Sequence, residues 1–179
     1  HHGFSILSIK DKKVRNFVHD PNNRNSLPGN EVRCVYKDMN HNIWVGTNKG
    51  LALFNPESEN FIQFNSDGNL SHYIYDIRQL DGNKLWIAME FGGIAIMDLS
   101  QRLFLLPEQT QFHYIREGDD GYSLSNSSAR CIFQDSFKNI WTGVWGGGIN
   151  FLSYEPPLFS GYYYSPNQNS MSRLNNKTA

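Results

Sequence analysis

The side chains that could do chemistry in this chain are scattered. Six histidines stand at positions 1, 2, 19, 41, 72 and 113, with no spacing that recommends a zinc-type metal site. Gly146-Gly147-Gly148 lacks the Lys-Ser or Lys-Thr that would follow in a phosphate-binding loop, so its expected use is permissive backbone geometry. Asp38 and Asp135 could act as general acids or bases, but they recur in corresponding turns, which points first to Asx-type hydrogen bonding. Cys34 and Cys131 each lie ten residues before a tryptophan, Trp44 or Trp141. Equivalent positions in non-adjacent repeats are too far apart for a disulfide, and each thiol is expected as a small buried hydrophobe. Two such thiols fit an oxidising or a reducing compartment equally. No cofactor is implied, and no catalytic set is identified.

The elements that would position any site come from a repeat. Asn42-Ile43-Trp44-Val45-Gly46, Lys84-Leu85-Trp86-Ile87-Ala88 and Asn139-Ile140-Trp141-Thr142-Gly143 are near-copies of one phrase. Leu27, Leu70, Leu124 and Leu174 open successive units at spacings of 43, 54 and 50 residues. Gly3, Gly50, Gly93 and Gly148 each begin a short alternating apolar segment, and Val14, Phe61, Phe104 or Phe159 follows eleven residues later. Period-two patterning with β-branched and aromatic residues, interrupted by Gly, Asn, Asp and Pro, predicts strands and no amphipathic helix.

One unit reads as four strands, Val32 to Lys37, Ile43 to Gly46, Leu51 to Phe54 and Phe61 to Phe64. Asp38-Met39-Asn40-His41-Asn42 and Asp135-Ser136-Phe137-Lys138-Asn139 supply turn residues between the first two strands, and Asp81-Gly82-Asn83 does so in a connection one residue shorter. Four short antiparallel strands in each unit of about 40 to 50 residues match a β-propeller blade. A generic β-sandwich is the alternative, but it would not require the same Trp and Gly once per unit.

The expected fold is therefore all-β, a fragment of half a blade plus three blades. Residues 1–26 carry the third and fourth strands of one blade, 27–69 a blade, 70–123 a blade with an insertion at 105–122, 124–173 a blade, and 174–179 the start of another. Closed propellers typically have four to eight blades, so the chain is expected to form part of a larger ring. His1 and His2 could be native or the remnant of a tag.

Composition narrows the partners. A net charge of -1 and a pI near 6.6 leave no basic stripe for nucleic acid. The longest apolar runs are strand-length, so no membrane span is expected in this segment.

Ser26-Leu27-Pro28-Gly29-Asn30-Glu31-Val32-Arg33-Cys34-Val35-Tyr36-Lys37-Asp38, Asn42 to Leu51 and Trp141 to Asn150 resemble the two-component regulator propeller repeat, and the likeness extends over nearly the whole chain. The middle copy departs from that pattern with Ala88 for glycine and Met89 for threonine. The resemblance implies the periplasmic sensor region of a hybrid two-component histidine kinase of Bacteroidetes-type bacteria, built from seven-bladed propellers that sense glycan fragments. Kinase activity would then belong to the parent protein and not to this segment. It implies as partners an oligosaccharide, the remaining blades of the same sensor, and a second copy of the parent. A propeller glycoside hydrolase or polysaccharide lyase, in which two carboxylates converge on substrate, and a protein-interaction scaffold are the alternatives.

Blade connectivity selects the face on which a ligand could sit. The loop before the first strand and the loop joining the second to the third emerge together, which gathers Asn30, Glu31 and Thr47 to Lys49, then Tyr73, Glu90 and Phe91, then Asn126, Val144 and Trp145. Trp145 has no duty in the repeat, and an indole can stack on the C–H face of a sugar or pack on the adjoining blade. Arg33 and Arg130 could bind an acidic sugar or pair with a carboxylate of a neighbouring blade. The insertion holds His113, Tyr114, Arg116, Glu117, Asp119 and Asp120 and could carry specificity, lengthen a hairpin or contact a neighbouring blade. The candidate ligand residues are Trp145, Glu90, Phe91, Tyr73, Asn48, Lys49, Arg33 and Arg130.

Overall fold

The computed structural model describes residues 3–64, 70, 72–80, 82–100, 106–118 and 123–154. Its strands are β1 (Phe4–Leu7), β2 (Val14–Phe17), β3 (Val32–Lys37), β4 (Ile43–Thr47), β5 (Gly50–Asn55), β6 (Asn60–Phe64), β7 (Ile74–Leu80), β8 (Lys84–Met89), β9 (Gly93–Asp98), β10 (Phe112–Ile115), β11 (Ala129–Gln134), β12 (Ile140–Val144) and β13 (Gly148–Leu152). They pair only with sequence neighbours, as sheets β1-β2, β3-β4-β5-β6, β7-β8-β9-β10 and β11-β12-β13, all antiparallel. The first strands β3, β7 and β11 lie side by side in succession. Meandering sheets stacked with their first strands together are the blades of a β-propeller, and the chain is a fragment of one.

Side-chain alternation makes each sheet apolar on both faces, which is why a blade cannot stand alone. Trp44, Leu51 and Leu53 point one way, into a cluster with Ile77, Leu85, Ile87 and Met89 of the next blade. Val45, Ala52 and Phe54 point the other way, where Phe4 and Phe17 of the first sheet pack against Phe54 and Phe61 with ring centroids 5.4 to 5.9 Å apart. Trp86, Ala88 and Ile94 meet Ala129, Ile132 and Val144 of the last blade.

Blade spacing explains the glycine of the repeated phrase and its one departure. A Cβ on Gly46 would lie 2.6 Å from the Cys34 sulfur and 2.7 Å from Ile74 of the next blade. At the next junction Ala88 takes the glycine position, and the residue equivalent to Ile74 is the smaller Ala129 in the same cluster. The methyl added at Ala88 faces a residue three carbons smaller than Ile74, which makes room for it in a close-packed junction.

Two expectations need correction, and one repeated tryptophan departs from its equivalents. The fourth strand of the third sheet is Phe112–Ile115, paired with β9 from Phe112↔Met97 to Ile115↔Ile94, later in the chain than the count of eleven from Gly93 places it. Extra length therefore precedes the outer strand, and it includes a 3-10 turn at Pro107–Gln109 that packs against β6. Trp141 is not a fully enclosed core residue. It is 39% exposed, beside exposed Phe133, Ile149 and Phe151, because no sheet covers that face among the described residues, whereas Trp44 is fully buried. Cys131 is exposed for the same reason, while Cys34 is half-buried and places its sulfur 3.9 Å from the Ile74 carbonyl of the neighbouring blade. Phe104, Phe159, Leu174 and the insertion residues 105 and 119–122 lie outside the described residues.

Candidate functional site

Each first strand carries an irregularity at the same place, with register shifts between Val32 and Cys34, Ile74 and Asp76, and Ala129 and Cys131. A bulge takes one residue out of the ladder and re-aims its side chain. The three residues so released are Arg33, Tyr75 and Arg130. Because the first strands are neighbours, these side chains meet in a row along the inner edge of the blades.

The contacts in that row are planar and charged. The Arg130 guanidinium lies 3.8 Å from the Tyr75 ring centroid and 5.3 Å from that of Trp145. Arg33 lies 5.5 Å from Tyr73 and 5.9 Å from Tyr75, and those two rings stack at 6.2 Å and 21°. Arg130 donates to Glu90 at 2.6 Å across the blade junction, and Arg33 pairs with Glu31 of its own blade. Burial opposes the Arg130 charge, but hydrogen bonds with Tyr75 and Glu90 outweigh it and raise its pKa. The two carboxylates of the row are thus committed to arginines.

Backbone bonds fix the loops on this side. Asn48 N–H donates to Glu31 O, Glu90 N–H to Tyr73 O, and Trp145 N–H to Ser128 O, one equivalent bond in each of the three blades. Tyr73, Glu90, Arg33, Arg130 and Trp145 of the sequence-derived set come together here. Asn48 is occupied in structure, with its side-chain oxygen beside the Glu31 N–H, and Lys49 is exposed on the same loop outside the arginine and tyrosine contacts. Phe91 projects from its loop with 73% of its surface exposed. Asn126 turns its side-chain oxygen onto the Ser128 N–H, and Val144 is buried. The insertion is divided between the two ends of its blade, with Pro107–Gln109 at the end opposite this row and Arg116 beyond β10, 4.7 Å from the Tyr114 ring centroid.

Tyr75 is the member of the row that sequence reasoning missed. It occupies in β7 the position that Arg33 and Arg130 hold in β3 and β11, and alignment of the three bulged strands would have found it.

The aspartates that recur in two of the repeats serve the turns. Asp38 Oδ1 accepts from the Asn40 and Asn42 backbone N–H groups, and Oδ2 from Asn42 Nδ2 and, at 2.9 Å, Trp44 Nε1. Asp135 repeats the arrangement with Phe137, Asn139 and Trp141. Among the described residues no group of three or more His, Cys, Asp or Glu could hold a metal ion, and no helix is long and apolar enough to cross a membrane.

Residues 26–49 match the family described as two component regulator propeller. The structure is similar to one described as the extracellular domain of a hybrid two component system of B. thetaiotaomicron, with 56% identity and a TM-score of 0.71 over 90% of this chain and 19% of that one. A second extracellular domain so described, from the same organism, aligns with a TM-score of 0.62 over 79% of this chain and 19% of that one, and at 19% identity speaks to fold alone. In sequence, 86 residues are 30% identical to histidine kinase P4 of Formosa agariphila, 44% of this chain and 6% of that protein. The chain spans about a fifth of the solved chains it matches.

Proposed function

We propose that this chain, with its two-component regulator propeller repeat at residues 26–49, is a segment of the extracellular input region of a hybrid two-component sensor and that it takes part in binding an oligosaccharide. The likeness at 56% identity to an extracellular domain of such a system supports the first half of this reading and a place outside the cytoplasm, on the periplasmic side. The likeness to a histidine kinase supports placing the kinase activity elsewhere in a longer protein.

The observation that carries the ligand is the row Arg33, Tyr73, Tyr75, Arg130 and Trp145. Sugars present flat C–H faces ringed by hydroxyls, and a surface of aromatic faces interleaved with guanidinium donors offers both stacking and hydrogen bonds. Glycoside hydrolysis would use two free carboxyl groups flanking the scissile bond, whereas Glu31 and Glu90 are each held by an arginine. That favours recognition without turnover.

Calorimetric titration with a panel of neutral and acidic oligosaccharides, with chromatography of the mixtures afterwards, tests the reading. Heat of binding with the sugars recovered intact is the expected result. Product release would point to an enzyme, and silence across the panel would remove the oligosaccharide and leave a protein-interaction propeller.

A further inference from the structure

The β8–β9 and β12–β13 loops have equal length, since Met89 pairs with Gly93 and Val144 with Gly148. Glu90 therefore corresponds to Trp145 and Phe91 to Gly146. Gly146 has φ +71°, a left-handed conformation that glycine adopts freely. Phe91 holds the same conformation at φ +56° with a bulky side chain, for which that region is strained. Its side chain is 73% exposed, so burial does little to offset the strain. A residue kept in an unfavourable conformation at a loop tip, where its neighbour uses glycine, marks a position held for what the side chain meets outside the fold.

Phe91 has a counterpart across the blade junction. Its N–H donates to the Ser128 hydroxyl at 3.3 Å, and the Trp145 N–H donates to the Ser128 carbonyl at 2.8 Å. One buried serine thus anchors both loop tips, and Trp145 is itself 70% exposed. Joining the loops is the ion pair of Glu90, the residue before Phe91, with Arg130, which lies beside the Trp145 ring. Two exposed aromatic residues are therefore carried on neighbouring loop tips that are joined by one mutually neutralised charge pair.

We propose that Phe91 and Trp145 are the walls of one stacking subsite for an uncharged sugar ring, with the Arg130–Glu90 pair between them as hydrogen-bonding floor. This rests on the oligosaccharide reading above and specifies its residues and charge class. The cancelled charges favour neutral sugars over uronates or sulfated sugars, because an anion would have to compete with Glu90 for the arginine.

The test uses the full chain and three variants, Phe91→Gly, Trp145→Ala and, as control, Phe137→Ala. Phe137 is 79% exposed in the β11–β12 turn at the opposite end of the blades. The probes are neutral hexasaccharides of glucose, mannose and galactose, xylohexaose and a sulfated oligosaccharide. Phe91→Gly is expected to raise Tm, by relieving the left-handed strain, while weakening the neutral sugar that the unaltered chain binds by about tenfold or more. Trp145→Ala should weaken it similarly with Tm unchanged, and Phe137→Ala should change neither. A fall in Tm for Phe91→Gly would make Phe91 a packing residue and overturn the proposal. Unaltered affinity in both variants, or binding of the sulfated probe alone, would overturn it while leaving the oligosaccharide reading intact. No binding by the unaltered chain would end both.

Discussion

At the scale of single residues, the repeated aspartates and tryptophans are tied into the turns, while Phe91 and Trp145, which depart from the repeat, stand exposed. The aspartate six residues before the tryptophan was legible from sequence as a turn residue, but its bond to the indole was not, because that depends on a left-handed residue at His41 (φ +67°) or Lys138 (φ +65°) turning the carboxylate inward. Asp38 is buried and accepts four hydrogen bonds, so Asp38→Ala should cost about 3 kcal/mol in denaturant unfolding. Asp38→Asn should not rescue it, since an amide has one acceptor oxygen where two sets of donors converge. In the middle blade Leu80 stands at that position and Trp86 Nε1 is buried with no acceptor among the described residues.

Asp135 makes the same turn with partial exposure, and its pKa is lowered, first by the Trp141 indole and then by Asn139 and backbone donors, against the effect of burial. A carboxylate with a depressed folded-state pKa contributes stability that is fully present above its unfolded value and is lost as pH falls through the folded one. The Trp141 environment should therefore loosen only below about pH 4. Tryptophan fluorescence followed through acid titration checks this, and Asp135→Asn should shift the Trp141 signal at neutral pH and abolish its acid dependence.

At the scale of elements, strand order and type were legible because each blade repeats apolar alternation at fixed offsets from Trp and Gly. Two features were not. The outer strand of the third sheet lies at Phe112–Ile115 because a residue count to Phe104 cannot anticipate extra chain entering before the strand. The bulges in β3, β7 and β11 leave no mark in composition, yet they bring Arg33, Tyr75 and Arg130 into one row. The blade junction offers a quantitative check. Gly46→Ala should cost about 1 to 3 kcal/mol by forcing a methyl against Ile74. Ile74→Ala alone removes a buried side chain and should cost about 2 to 5 kcal/mol. The double variant recreates the Ala88–Ala129 pairing, so its loss should fall short of the sum by about 1 kcal/mol or more in a double-mutant cycle. Simple additivity would mean that blade spacing does not depend on that contact.

At the scale of the molecule, each blade face is completed by its neighbour. Trp44 and Trp86 are covered by the blade that follows, and the equivalent face around Trp141 is partly open. In a larger ring, a further blade would cover Trp141, Phe133 and Phe151. Cys34 already illustrates what such cover does, since burial and then the nearby Asp76 charge push its thiol up to about 12. The same geometry that hides the repeated tryptophans leaves Trp145 at the rim, and this sorting of four indoles can be read in one experiment. In an indole N–H NMR titration with whichever oligosaccharide the calorimetric panel identifies, the Trp145 resonance should move on binding while those of Trp44, Trp86 and Trp141 stay in place. A Trp145 signal unmoved at saturation, or movement centred on Trp141, would contradict recognition at the inner row of the blades.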